Sequence, residues 1–124
     1  MWSNQYLYYI IRSDAQYSRS LSTKDVIKFL ERFQELKKNG HQSFVNQENF
    51  PWIHIACVHT LNGNFAHNDS DQTDNTNLIT IAASKHDPEN EYRYIELLKS
   101  IANRLNWELI LEENDDGNKD IRLN

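Results

Sequence analysis

The sequence predicts an α+β domain in which two helices pack on one face of a four-stranded antiparallel sheet. Three observations lead there. The 124 residues are one domain's worth of chain. Four short runs rich in apolar, β-branched or aromatic residues, at 6–11, 52–59, 77–84 and 107–112, have strand character. Two of the stretches between them carry apolar residues at helical spacing, so the order is β-α-β-β-α-β.

Each element has its own warrant. Tyr6, Leu7, Tyr8, Tyr9, Ile10 and Ile11 leave a first strand almost no polar face. Residues 13–20 are polar loop. Ser22 or Thr23 then caps a helix whose stripe is Val26, Ile27, Leu30, Phe33 and Leu36, with Lys37 and Lys38 at its end and Gly40 as a left-handed cap. Phe44 and Phe50 tuck against the core from a loop, and Pro51 marks the start of the second strand. Asn62-Gly63 opens an acidic loop that leads to the apolar third strand. Asp87, Pro88, Glu89 and Glu91 form a strong helix start, followed by the stripe Tyr92, Ile95, Leu98, Ile101, Ala102 and Leu105, with Asn106 as C-cap. In the last strand Trp107, Leu109 and Leu111 alternate with polar Glu108 and Glu112. Residues 1–113 are thus read as a single domain and 114–124 as an acidic, mobile C-terminal tail.

This order is that of the ferredoxin-like split βαβ arrangement. Right-handed crossovers put both helices on one face, and the first and third strands in the middle. Alternation assigns Leu7, Tyr9, Ile11, Ile53, Ile55, Cys57, Ile79, Ile81, Ala83, Leu109 and Leu111 to the helix side. The other face carries Tyr6, Tyr8, Ile10, His54, Ala56, Val58 and Ile110, which is too apolar for a face that only meets water.

Charge is concentrated. The chain carries −5, with −3 in residues 62–75 and −4 in residues 112–120, which leaves the remainder at +2. Phosphate recognition needs a basic footprint, so nucleic acid is not the expected ligand; a basic protein surface fits better. One cysteine, Cys57, excludes an internal disulfide and points to a reducing compartment. The start has no basic signal region, and no apolar run is long enough to cross a membrane; the expected address is the cytoplasm.

Motifs for chemistry are missing. His54 and His59 are five apart on a strand and point to opposite faces, so they cannot share a metal, and Cys57 with His59 lies on the face assigned to the helices. A calcium loop beginning at Asp69 would need Gly at its sixth position and Glu at its twelfth, where the chain has Asp74 and Thr80. There is no glycine-rich phosphate loop, nucleophile elbow or paired-cysteine zinc pattern. Arg12 and Arg19 flank a polar loop and read as surface charge. The RNA-recognition fold needs stacking aromatics on the third strand, and residues 78–83 have none. Acylphosphatases share the topology, but their glycine-rich anion loop has no counterpart in residues 12–20. No enzymatic activity, cofactor or metal is expected.

The single small domain, the acidic segments Asp69 to Asp74 and Glu112-Glu113-Asn114-Asp115-Asp116, and the many Asn and Tyr residues together resemble the immunity proteins of bacterial contact-dependent growth inhibition systems. The resemblance implies stoichiometric neutralisation of one cognate toxin, often a nuclease with a basic cleft. Asp69, Asp71, Asp74, Glu112, Glu113, Asp115 and Asp116 would steer to that partner, and Tyr6, Tyr8 and His54 would lie in the interface. The alternative is a homodimeric, small-ligand regulatory module resembling ACT-type domains, self-associating through the open sheet face.

Overall fold

The computed structural model describes residues 2–61 and 73–124. The elements are β1 (Tyr6–Arg12), β2 (Leu21–Ser22), α1 (Thr23–Leu30), β3 (Leu36–Lys38), β4 (Ser43–Asn46), β5 (Ile53–Val58), β6 (Asn75–Thr76), β7 (Leu78–Ser84), α2 (Glu89–Leu105), β8 (Glu108–Glu113) and β9 (Lys119–Arg122). Seven strands form one sheet in the order β3-β4-β5-β7-β1-β8-β9, every neighbouring pair antiparallel, while β2 and β6 make a separate two-stranded ribbon.

The four-stranded ferredoxin-like sheet expected from the sequence is therefore corrected to a seven-stranded one. Two segments account for the difference. The first helix was expected to run to Lys38, but α1 ends at Leu30 and the chain turns through 31–35 into the β3–β4 hairpin. Phe33 and Leu36 satisfy helical spacing, yet they are buried just as well from a turn and a strand. The hairpin is closed by Asn39, whose N–H donates to Ser43 O at 3.1 Å and whose Oδ1 accepts from Ser43 Oγ at 2.9 Å. Asn-Gly between two strands is a turn signal, and here it outweighs the helical period.

The second segment is 114–124, expected as a tail. Asn114 Oδ1 accepts the N–H groups of Asp116 and Asn118, at 3.0 and 2.9 Å, and Gly117 takes φ +82°. That tight turn lets β9 pair with β8 from Ile110↔Arg122 to Glu113↔Lys119. Beyond it, Leu123 N–H donates to Leu109 O, and Asn124 accepts from Leu109 N–H and donates to Trp107 O and Asn103 Oδ1.

One face of the sheet packs on the helices. The main core joins Leu7, Tyr9, Ile11, Ile55, Ile81 and Leu109 to Val26 and Leu30 of α1 and to Tyr94, Leu98 and Ile101 of α2. Helix α2 starts where Asp87 Oδ1 accepts the Glu89 N–H, and it ends on Asn106 at φ 60°, a left-handed cap that asparagine tolerates. A second, smaller cluster on the opposite face gathers Ile10, Ala56, Val58, Leu78 and Ile110, with Tyr17 packed against it.

Among the described residues one buried side-chain polar atom lacks a hydrogen-bond partner, the Tyr9 hydroxyl. A buried unsatisfied group costs about 1–3 kcal/mol, so removing it should not weaken the fold. Tyr9→Phe is expected to leave the urea midpoint unchanged or to raise stability by up to about 1 kcal/mol. A clear loss of stability would show that the hydroxyl is satisfied in solution.

Candidate functional site

The face turned away from the helices presents its side chains in rows fixed by register. One row runs Val45, His54, Ala82, Tyr8 across β4, β5, β7 and β1. In the adjacent row Tyr6 faces Ser84 of β7, and Trp52, one residue before β5, continues the register on the far side of Ser84. The central strand thus contributes small residues, Ala82 and Ser84, with larger rings on the strands to either side. Small side chains in the middle let the rings meet. Trp52 and Tyr6 lie 5.5 Å apart at 48°, and Tyr6 and Tyr8 lie 6.3 Å apart at 46°. Trp52 is 46% exposed and Tyr6 37%, while Tyr8 and His54 are half-buried. Tilted aromatic contacts of this kind make a stiff apolar strip with polar tips.

The carboxylates singled out in the sequence do not converge. Glu112 follows from the Tyr9↔Leu111 pair as the neighbour of Tyr8 on β8, so it flanks the aromatic strip. Glu113 points to the other face and pairs with Lys119 across the hairpin. Asp116 is exposed in the turn. Asp115, in the same turn, accepts from Lys85 Nζ at 2.7 Å and from Trp2 Nε1 at 3.1 Å, and Lys85 Nζ lies 4.9 Å from the centroid of the Trp2 ring. Those hydrogen bonds, first Lys85 and then Trp2, hold the Asp115 carboxyl below the ordinary carboxylate value. Asp74 is exposed beside β6, with its carbonyl accepting from Thr23 N–H at 2.9 Å. It precedes β7, whereas Lys85, the partner of Asp115, follows it. The seven residues of that strand put the two carboxylates at opposite ends of the sheet, roughly 20 Å apart. Asp69 and Asp71 lie outside the described residues.

Arg12 and Arg19, which flank the first loop, are occupied structurally. Arg12 Nε donates to Glu108 at 2.7 Å, and Arg122 approaches the other oxygen of that carboxylate at 3.6 Å. Burial opposes the Arg12 charge, but hydrogen bonds to Glu108 and Tyr17 outweigh it and its pKa rises. Arg19 donates to Asn106 O at 3.3 Å. Cys57 is buried, and desolvation pushes its thiol up to about 12. Among the described residues no three His, Cys, Asp or Glu side chains come together as metal ligands, and no helix is long and apolar enough to cross a membrane. What the geometry brings together on the open face is the strip of Trp52, Tyr6 and Tyr8.

Trp52 is the member of this surface that the sequence reading missed. Pro51 before it was the available signal, since it delays strand pairing and leaves the indole at the strand's mouth rather than in the core. No family model, curated protein or solved structure matches the chain.

Two measurements test this account. In the native protein the Cys57 thiol should react with a disulfide reagent at pH 8 on the order of a thousandfold more slowly than in the urea-unfolded chain, because so little thiolate is present. Comparable rates in the two states would contradict its burial. A carboxylate with a lowered folded pKa adds stability above its unfolded pKa and loses it as pH falls through the folded value. The Asp115 carboxyl should therefore titrate by NMR below the ordinary aspartate range, and Lys85→Met should move the midpoint up. A midpoint already at the ordinary value would remove the contact with Lys85.

Proposed function

We propose that this chain is a non-enzymatic binding protein of the immunity type, which neutralises a cognate protein toxin by covering it. The observation that carries this reading is the strip of Trp52, Tyr6 and Tyr8 on the open face of the sheet, with His54 beside it and Glu112 at its flank. Buried aromatic anchors with a charged rim are what tight protein interfaces are built from. The net charge of −5 favours a basic partner and a fast, salt-dependent encounter. The rings anchor, Glu112 orients, and the turn residues Asp115 and Asp116 add to the steering field from the same end of the sheet.

The test is to look for a toxin-bearing coding sequence beside this gene and to titrate the chain against its toxin domain, reading toxin activity and stoichiometry together; the lack of any such neighbour counts against the proposal. One-to-one inhibition supports the proposal; full toxin activity at excess chain overturns it. Tyr6→Ala and Trp52→Ala should each weaken the complex by about 2 kcal/mol, roughly thirtyfold, mainly through faster dissociation. Glu112→Lys should slow association, whereas Asp74→Lys, at the far end of the sheet, should leave the anchored complex nearly as tight. Sedimentation at micromolar concentration separates the other class: a stable dimer that buries the strip favours a self-associating regulatory module.

A further inference from the structure

A concavity among the described residues lies elsewhere, on the helix side of the sheet. It is a groove of about 880 Å³ between the turn after α1, the β4–β5 loop and one stripe of α2. Its floor is apolar, formed by Phe33, Phe50 and Leu97, all nearly buried. Its ends are cationic. Arg93 holds its guanidinium 5.1 Å from the centroid of Phe50 and donates to Asn49 O at 2.7 Å. Arg104 holds its own 5.5 Å from the centroid of Phe33. A cation held over a ring face is restrained there, and the planar guanidinium keeps several N–H donors, one of which Arg93 uses on Asn49 O. Arg32 and Lys37 add charge from the opposite wall. Among the described residues none of these four cations forms an ion pair; the three ion pairs present use Arg12, Lys85 and Arg122.

We infer that this groove is a docking site for an extended peptide segment of a partner protein that carries two carboxylate side chains about five residues apart. The spacing comes from the helix. Arg93 and Arg104 are separated by eleven positions on α2, about 16 Å of axial rise, which an extended chain covers in roughly five residues. Between them the same stripe carries Glu96, Leu97 and Ser100, so the middle of this wall is acidic and apolar rather than cationic. Glu35 and Glu48 also line it. This interleaving selects the occupant. A nucleic-acid strand would set phosphates against glutamates as well as against arginines, and like charges in register are repulsive. A peptide with acidic ends and an uncharged centre sets one carboxylate against Arg93 and one against Arg104, and none against Glu96. Carboxylates suit the arginines because the planar fork donates two parallel N–H bonds to the two carboxylate oxygens. The inference is independent of the toxin-binding proposal, since that strip is on the opposite face of the sheet.

The test is fluorescence anisotropy of the full chain with a labelled ten-residue peptide bearing glutamates at positions three and eight and Ala, Leu and Ser elsewhere. Saturable binding is expected, weakened about tenfold or more by replacing both glutamates with glutamine, and by a similar factor in Arg93→Gln or Arg104→Gln. Both arginines are exposed, and circular dichroism confirms that each variant is folded. Arg104→Lys should recover only part of the loss. Glu96→Gln should raise affinity for single-stranded oligothymidine, which the unaltered chain should bind more weakly than the peptide. No saturation at millimolar peptide, equal binding of the glutamine peptide, or tighter binding of the oligonucleotide would each overturn the inference.

Discussion

The structure depends on one buried row of side chains. Phe44, Ile55, Ile81, Tyr9, Leu111 and Ile121 stand opposite one another across β4, β5, β7, β1, β8 and β9. The inner five are buried and belong to the core beneath the helices, with Ile121 packed at its edge. In an antiparallel sheet a one-residue slip moves every side chain to the opposite face. A slip of any strand in the row would take a large apolar side chain out of the core and put a polar or small neighbour in its place. Burying a side chain of this size is worth about 1.5–3 kcal/mol, so register is specified several times over. Parallel rows reinforce it, Cys57 with Ile79, Ile11 and Leu109 on one side, and Ile53 with Ala83 and Leu7 on the other.

The open face inherits its order from that lock. Because Tyr9 is held against Ile81 and Leu111, its neighbour Tyr8 must stand between Ala82 and Glu112 on the other face, and Tyr6 must stand opposite Ser84. The Tyr6 and Tyr8 part of the aromatic strip is thus a by-product of core register, while Trp52 reaches it from the end of the β4–β5 connection. The edges are managed separately. Strand β3 is three residues long and two of them are lysines, while β9 carries Lys119, Asp120 and Arg122 with Asp120 at φ 51°. Charge and a left-handed residue discourage pairing with further strands. The sheet therefore leaves its open face, and not its edges, for a partner of the kind proposed above.

These physical facts explain what the sequence showed and what it hid. Strand parity groups Leu7, Tyr9 and Ile11, Ile53, Ile55 and Cys57, and Ile79, Ile81 and Ala83 on one face, and the right-handed crossovers put the helices over it, although the other face is also rich in apolar residues. The β3–β4 hairpin was hidden because Phe33 and Leu36 continue the period of Val26 and Leu30, and spacing alone cannot tell a fourth helical turn from a tight turn into a strand. The Asn39-Gly40 pair was the competing signal. Strand β9 was hidden for a different reason: Lys119-Asp120-Ile121-Arg122 contains a single apolar residue, enough for a half-covered edge and too little for a pattern. The site followed the same logic. Tyr6, Tyr8 and Glu112 were legible from strand parity, whereas the scatter of Asp74 and Asp115 to opposite ends of the sheet depends on strand direction and pairing, which composition does not contain. The groove on the helix side was hidden with the hairpin, because one of its walls is the turn that the longer helix would have replaced.

The two surfaces are organised by one short segment. Tyr94 and Arg93, adjacent on α2, both reach the stretch from Asn49 to Trp52. The Tyr94 hydroxyl donates to Trp52 O at 2.6 Å and its ring meets Phe50 edge-on at 5.9 Å, while Arg93 caps Asn49 O and lies over the other contact partner, Phe50. Pro51 sits inside this clamp and restricts its backbone further. Without it the segment would be an ordinary connection between β4 and β5, free to move on the timescale of loops. With it, the Trp52 backbone is fixed from the helix side, so the indole is presented on the open face from a rigid base, and Arg93 is fixed at the mouth of the groove by the same contacts. Ordering costs that a binding surface would otherwise meet on association are met on folding instead. A surface prepared in this way would gain affinity without gaining area, which is what the proposed binding role requires of a few exposed rings.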